Sequence, residues 1–263
     1  MQNRFILFGL MVLGSLALIG LIWVLVIAPP PVESGPVEPL AVAPAVNPTY
    51  KDLEINETTG TYKISAKYPV FSTPFRAEMG NINSVISGNI IGQVSDFKRE
   101  VSSATVSDPE RKSTLEIGYE IMNLNPGFIS VKIGNYGYLA EAAHGSGIFY
   151  SFNYDVKNDK LLKLSDLFKP DVKYLRFLSE ESRTRLKEQM RDYYQEEFAL
   201  VGTEPKEENY NIYNFTKNKL RITFNVYQVA PYASGPQSVD ISYAEMKDIL
   251  NPEVVASITG EIK

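Results

Sequence analysis

Cysteine is absent from the 263 residues, and histidine occurs once, at position 144. The lack of thiols excludes disulfides, thiolate nucleophiles and cysteine-based metal centres. A zinc site around His144 would have to be completed by carboxylates, an unusual ligand set, so we expect no metal and no cofactor. The H-E-x-x-H, G-x-S-x-G, Walker and dinucleotide-binding signatures are also missing. We therefore expect no enzyme of these classes, although 31 acidic residues leave a carboxylate pair for glycoside hydrolysis open.

Positive charge is missing from a long stretch near the N-terminus, between Arg4 and Lys51. Within that stretch, Phe5–Ala28 is an apolar run without a charged residue. As a helix it would extend about 36 Å, enough to cross a hydrocarbon core of about 30 Å. Basic charge on the N-terminal side alone indicates that the N-terminus is cytoplasmic. The run predicts a single-pass anchor in the cell membrane, with residues 1–28 as stub and transmembrane helix and the rest extracytoplasmic.

A cleaved signal peptide is the alternative for this run. Its apolar core would span about 7–15 residues, which is shorter than the run observed here. A cut after Ala28 would place Pro29 directly behind the cleaved bond, and proline at that position is expected to block cleavage. Both points favour an uncleaved anchor.

Residues 29–49 are predicted to be a linker, because they hold seven of the chain's 16 prolines. Proline fixes φ and removes a backbone donor, so the segment favours extended polyproline-type backbone or plain disorder. At about 3.1 Å per residue it could hold a domain up to roughly 60 Å from the bilayer. The remaining composition is that of an ordinary globular domain. Its net charge of −5 argues against a nucleic-acid partner.

The globular part reads as α+β. Two β-type runs, Tyr50–Ile55 and Thr61–Tyr68, flank turn residues and predict a hairpin. An apolar stripe at helical spacing follows up to Val101 and predicts a core helix rather than a cofactor site. Alternating strands and a second long helix after Pro170 come next. The predicted architecture is an N-terminal transmembrane helix and a Pro-rich linker, then antiparallel sheets packed against two long helices and a short C-terminal helix.

The second long helix is predicted to run from about Tyr174 to Phe198, with a charged and solvated outer face. Ser242 and Glu245 have the spacing of a capping box. They predict that the short C-terminal helix begins there and includes Met246, Ile249 and Leu250.

Two loops read as more than scaffold: Glu141–Gly147, which contains Ala143-His144-Gly145, and Ala230–Pro236. Together with Phe152-Asn153-Tyr154-Asp155 and Leu164–Phe168, they resemble the family of domain of unknown function 3298. That family includes the extracytoplasmic modules of RsiV-type lysozyme-sensing anti-sigma factors and PdaC-type deacetylases. Residues 50–139 resemble the PdaC-like domain of unknown function 4163, which usually precedes it. The resemblance implies two α+β modules, 50–139 and 140–263.

The chain departs from both groups of relatives. Only Met1–Arg4 precede the apolar run, where RsiV-type proteins have a sigma-binding domain, and one histidine cannot supply the several metal-binding histidines of a deacetylase domain. The resemblance therefore implies a non-catalytic binding or sensing module whose ligand is a lysozyme-like protein or wall glycan. A carboxylate-dependent wall hydrolase and a structural accessory to another envelope protein remain alternatives.

The Ala230–Pro236 loop supplies most of the candidate ligand-binding residues. Tyr232 lies between Pro231 and Ala233, where a tight turn would normally be polar, and exposed tyrosines are good recognition groups. Pro231, Ser234 and His144 complete the candidate set. The alternative is a plain strand connection, with His144 a loop histidine bonded to backbone.

We expect the full-length protein to remain in the membrane fraction after a carbonate wash, because an apolar helix of this length does not leave the bilayer. Protease added outside intact spheroplasts should remove the globular part. Recovery of a soluble chain that begins near Pro29 would contradict the anchor prediction.

Overall fold

The computed structural model of this chain describes residues 46–74, 79–106, 108 and 110–261. The predicted anchor Phe5–Ala28 lies outside these residues, as does the linker up to residue 45. Within the described ranges no helix is both long and apolar enough to cross a membrane. The membrane anchor stays a prediction.

Strands form two sheets in the described part of the chain. The six-stranded sheet has its strands in sequence order: β1 (Thr49–Thr58), β2 (Tyr62–Ser72), β3 (Ser113–Asn125), β4 (Phe128–Tyr138), β5 (Ser146–Asp155) and β6 (Lys160–Leu161). The three-stranded sheet contains β7 (Tyr213–Phe215), β8 (Lys219–Phe224) and β9 (Gln237–Ser242). The helices are α1 (Gly80–Ser103), α2 (Tyr174–Met190), α3 (Glu196–Gly202) and α4 (Pro252–Thr259). The mixed α+β class predicted from the sequence is confirmed.

The predicted hairpin and the predicted apolar helix both form. β1 and β2 pair antiparallel, in a register that sets Thr58 opposite Lys63. α1 buries one residue per turn: Ile82, Ile86, Ile90, Val94, Phe97 and Val101. This stripe packs against one face of the six-stranded sheet, whose β4 contributes Ile129, Val131 and Ile133. Each such side chain contributes about 1.5–3 kcal/mol through burial.

The prediction of purely antiparallel sheets is wrong at one position. β2 and β3 pair in parallel, with Tyr62 opposite Ser113 and Ala66 opposite Ile117. The helix between them explains this, since α1 carries the chain back to the end of the sheet where β2 began. A strand that follows such a crossover enters in the same direction as the strand before it.

A second core lies on the other face of the six-stranded sheet. α2 buries Leu178, Leu186 and Met190 over the three-stranded sheet. α2 is shorter than the helix predicted to reach Phe198. It ends after Met190, because the next residue, Arg191, has a φ of 50°, which lies in the left-handed region. A single turn of 3-10 helix and the separate helix α3 follow.

The C-terminal helix lies further along the chain than predicted. Ser242 and Glu245 do exchange capping hydrogen bonds, but Tyr243 to Ile249 form turns rather than a helix. The helix is α4, which begins at Pro252 behind the side-chain cap of Asn251. Proline suits the first position of a helix, so a start at Pro252 has a signal of its own.

A buried polar junction joins the two sheets. Asn153 of β5 accepts a hydrogen bond from the Ser130 hydroxyl at 2.7 Å and donates to the Tyr213 carbonyl at 2.8 Å. The side chain of Asn214 donates to Ser130 Oγ at 3.0 Å, and the backbone N–H of Phe215 donates to Asn153 Oδ1 at 3.2 Å. These bonds fix β7 against β4 and β5.

The proposed division into modules 50–139 and 140–263 falls inside the six-stranded sheet. β5 begins at Ser146 and pairs along its whole length with β4, which ends at Tyr138. Residues Pro44–Lys263 group into one compact unit. The boundary near residue 139, between the two modules that the family resemblance implies, remains a prediction.

Gly202, the last residue of α3, tests how closely this helix packs against the connection between β8 and β9. A Cβ there would lie 1.9 Å from the backbone oxygen of Gln228, so Gly202→Ala must displace main chain. We expect a loss of about 1–3 kcal/mol in the free energy of unfolding. Gly88→Ala is the control, because nothing lies within 4 Å of its Cβ. In the interior of α1 this change should stabilise by about 0.5–1 kcal/mol. Equal denaturation midpoints for the two variants would contradict the packing described.

Candidate functional site

The two loops singled out in the sequence meet in the structure. The loop Glu141–Gly145 connects β4 to β5, and Ala230–Pro236 lies in the connection from β8 to β9. The Tyr232 hydroxyl donates to the carbonyl oxygen of Gly145 at 2.9 Å. Nδ1 of His144 lies 2.9 Å from the same oxygen. One carbonyl therefore binds the two aromatic side chains of the candidate set.

His144 and Tyr232 are also stacked. Their ring centroids are 4.2 Å apart, with 30° between the planes. The ring of Tyr227 also packs against the ring of Tyr232, in a tilted arrangement with centroids 5.5 Å apart. Tyr136, from the end of β4, joins them beside Gly145. We call Tyr136, His144, Tyr227 and Tyr232 the aromatic cluster.

The cluster is partly exposed to solvent. Tyr227 is 54% exposed and Tyr136 is 47% exposed, whereas Tyr232 is half-buried between its neighbours. Partial burial, then the adjacent Tyr136 and Tyr227, raise the pKa of Tyr232. Its hydroxyl, like that of any tyrosine at neutral pH, is protonated and donates to Gly145. Tyr232 is thus an anchored ring that supports exposed ones, rather than the freely exposed tyrosine expected from the sequence.

Pro231 and Ser234 shape the turn that carries Tyr232. The N–H of Ser234 donates to the Pro231 carbonyl at 3.0 Å, which closes a short 3-10 turn over Tyr232–Ser234. Gly235 follows with φ of 66°, a conformation that favours glycine. The Gln237 side chain donates to the Ser234 carbonyl at 2.7 Å. The structure therefore places Tyr232 and His144 in the cluster, and Pro231 and Ser234 in the turn beneath it.

Sequence reasoning missed Tyr136 and Tyr227. Tyr136 lies in an ordinary alternating strand, so nothing in its neighbourhood distinguishes it. Tyr227 adopts φ of 66°, which is strained for a bulky residue and costs about 1–3 kcal/mol. The signal that could have been used is the density of tyrosine around the Ala230–Pro236 loop.

The support behind Tyr227 is the half-buried amide of Gln228. Gln228 donates to the carbonyls of Gly202 and Asn209 at 3.1 and 3.0 Å, and accepts from the N–H of Asn225 at 3.2 Å. Asn225 in turn accepts from the N–H of Phe149 at 3.3 Å. These bonds hold the β8–β9 connection against α3 and β5.

A separate cleft lies away from the aromatic cluster, in the described part of the chain. Its volume is about 1160 Å³, and it lies between the β5–β6 turn and α4, with Asp155, Lys157, Ser165, Asn251 and Glu253 among its lining residues. None of the four predicted site residues lines it. Asp155 is buried there and accepts from the backbone and side chain of Asn158, so it acts as a turn cap. Across the described residues no group of three His, Cys, Asp or Glu side chains is arranged to hold a metal ion.

Comparison with known proteins identifies the class. Residues 165–244 match the model of the family described as Protein of unknown function (DUF3298). This stretch covers most of the Leu164–Phe168 turn and the whole Ala230–Pro236 loop. The resemblance stated from the sequence is confirmed over residues 165–244, which match the DUF3298 family. The DUF4163 domain expected before it stays a prediction.

One curated relative is Peptidoglycan-N-acetylmuramic acid deacetylase PdaC of Bacillus subtilis (strain 168). It is 26% identical over 195 residues, which make up 74% of this chain and 40% of the relative. The chain therefore spans less than half the length of that relative.

Two solved structures share the fold. A DUF3298 family member from Bacteroides fragilis NCTC 9343 superposes with a TM-score of 0.59 at 18% identity, over 81% of this chain and 98% of its own. A DUF3298 family protein from Pseudomonas aeruginosa PAO1 gives 0.51 at 13% identity, over 79% and 94%. At these identities the likeness concerns the fold alone. It extends well beyond residues 165–244.

Gly145 offers a test of how the cluster is assembled. A Cβ there would lie 2.3 Å from the end of the Tyr136 ring, so Gly145→Ala should turn that ring out of the cluster. Because Tyr136 is exposed and can rotate, we expect a cost below about 1 kcal/mol and a melting temperature lower by no more than about 4 °C. Near-ultraviolet circular dichroism from tyrosine should weaken. Gly137→Ala meets only Leu115 at an ordinary 3.9 Å and should leave that signal unchanged.

Proposed function

We propose that this chain is a membrane-anchored, extracytoplasmic binding module that recognises glycan of the cell wall through the aromatic cluster. The observation that carries the proposal is the display of three phenol rings and one imidazole ring where two loops meet. Pyranose rings present C–H faces that stack on aromatic faces, and their hydroxyl groups form hydrogen bonds with phenol oxygens. Such a surface suits a saccharide.

The name of the curated relative supports the ligand class. PdaC is described as a deacetylase of peptidoglycan N-acetylmuramic acid, so it acts on a wall glycan. We take the ligand class from that name and not the reaction, because the chain matches 40% of that protein and contains a single histidine. We propose a binding role without catalysis.

The proposed location rests on the N-terminal sequence. The uncharged run Phe5–Ala28, with Arg4 before it, would anchor the chain with its globular part outside the membrane. The prolines of residues 29–49 would hold that part away from the bilayer. A wall polymer is a ligand that a domain in this position can reach.

Tyr232→Ala tests the proposal. Because this ring anchors the cluster, its loss should lower the affinity of the full chain for peptidoglycan by about 5–30-fold. The affinity is measured by sedimentation of the protein with purified insoluble peptidoglycan. Tyr193→Ala is the matched control, since Tyr193 is 78% exposed on the segment between α2 and α3. It should bind like the unaltered protein. Melting curves for both variants establish that the folded fractions are compared.

The alternatives give different results in the same assays. Absence of binding of the unaltered protein to peptidoglycan would refute the glycan proposal. Calorimetric binding to lysozyme instead would favour a protein ligand. Release of soluble fragments from wall material would favour a hydrolase. Binding to neither ligand would leave the accessory role.

A further inference from the structure

A second concave surface adjoins the aromatic cluster on the six-stranded sheet. We call it the sheet groove; its volume is about 530 Å³, and its lining includes Lys63, Ser65, Glu116, Gly118, Gly134 and Phe149. These positions alternate with Ile64, Leu115 and Ile133, which are buried in the core under α1. The groove therefore lies on the face opposite α1. It spans four strands, or about 14 Å at roughly 4.8 Å per strand.

The floor of the sheet groove is bare backbone. Gly118 of β3 and Gly134 of β4 are direct cross-strand partners. A Cβ at Gly118 would meet nothing within 4 Å, so no part of the described protein fills this space. Glycine inside a strand weakens it and marks a place where another molecule approaches the backbone closely. Packing inside the protein explains Gly134, where the absence of a side chain makes room for the Phe149 ring, but it does not explain Gly118.

Aromatic rings border this floor on two sides. Phe149 of β5 pairs with Gly134, and its ring lies about where a Gly134 side chain would be, 3.0 Å from an ideal Cβ. Tyr136, also in the groove lining, belongs to the aromatic cluster. The sheet groove and the aromatic cluster therefore share a residue and form one continuous surface.

Two exposed charged side chains, Lys63 and Glu116, also line the groove. Lys67 pairs with Asp52, and Lys132 pairs with Glu120 on the same sheet. Lys63 and Glu116, by contrast, form no ion pair with any described residue. An ammonium group that can donate and a carboxylate that can accept therefore border the glycine floor, beside the exposed hydroxyl of Ser65.

We propose that the sheet groove is a further saccharide subsite, which extends the aromatic cluster and accommodates a linear amino-sugar oligosaccharide. The flat glycine floor admits a sugar ring, and Phe149 and Tyr136 stack against its C–H faces. Lys63 donates to hydroxyl or acetamido oxygens, and Glu116 accepts from hydroxyl or amide hydrogens. This inference rests on the proposed function, since it assigns the continuation of the same ligand. The length of the combined surface predicts that longer oligosaccharides bind more tightly than short ones.

Gly118→Val tests the subsite directly. Valine favours strands, and its Cβ has open space, so the variant should be at least as stable as the unaltered protein. Its methyl groups would occupy the floor. Calorimetry on the full chain should show that the hexamer of N-acetylglucosamine binds at least about tenfold more tightly than the dimer. In Gly118→Val the hexamer should fall to the affinity of the dimer, with dimer binding unchanged.

Two further variants make the result decisive. Gly118→Ala places a smaller group on the floor and should give an intermediate loss, even if valine impairs folding. Gly137→Ala, on the α1 side of β4 beside Leu115, should bind both oligomers normally. Equal affinities of the unaltered protein for dimer and hexamer, or full hexamer binding by folded Gly118→Val, would overturn the subsite and leave the proposed function intact. Failure of both oligomers to bind the unaltered protein would overturn the subsite, whereas the proposed function is decided separately by sedimentation with peptidoglycan.

Discussion

The carboxamide of Asn153 is the group on which the rest of this structure depends. It is buried, and its oxygen and nitrogen connect a strand of the large sheet to the first strand of the small one. A buried amide left without these partners would cost about 1–3 kcal/mol, so the bonds specify one arrangement of the two sheets more strongly than apolar packing would. Ser130 and Asn214 extend the same junction. Phe128 and Phe215 then pack in a tilted arrangement across it, with centroids 5.9 Å apart.

The junction also positions the candidate site. Asn153 lies near the C-terminal end of β5, and the loop that contains His144 directly precedes the N-terminal end of the same strand. In the small sheet, β8 leads into the loop that contains Tyr232. Two more bonds between the layers keep these paths in register, from the Tyr213 N–H to the Ser151 hydroxyl and from the Phe149 N–H to Asn225. The stacking of Tyr232 on His144 is therefore a consequence of how the sheets are joined. Loops of this kind carry function because a rigid scaffold holds them.

Local patterns predicted much of this fold, and non-local ones were missed. The α1 stripe and the β1–β2 hairpin followed from spacing and turn residues, and the two unusual loops were singled out by family resemblance, although their contact was not predicted. The parallel pairing of β2 with β3 did not, because direction in a sheet depends on how a crossover helix packs. The end of α2 at Arg191 was missed as well, since apolar residues continue past it as far as Phe198. Tyr136 and Tyr227 enter the cluster only through tertiary structure.

The motif residues on which the family resemblance was based serve mainly as scaffold. In Phe152-Asn153-Tyr154-Asp155, two rings pack into the core under α1, the amide joins the sheets and the carboxylate caps a turn. Several features that folding does not explain lie on one surface. Tyr227 and Glu141 both have positive φ, at the edges of the two loops, and Gly118 leaves open space on the face of the sheet beside them. Each costs stability without improving the core, and such costs concentrate where a protein holds a ligand. The case for a binding surface here therefore rests on where strain and empty space coincide, a pattern that motif matching alone does not detect.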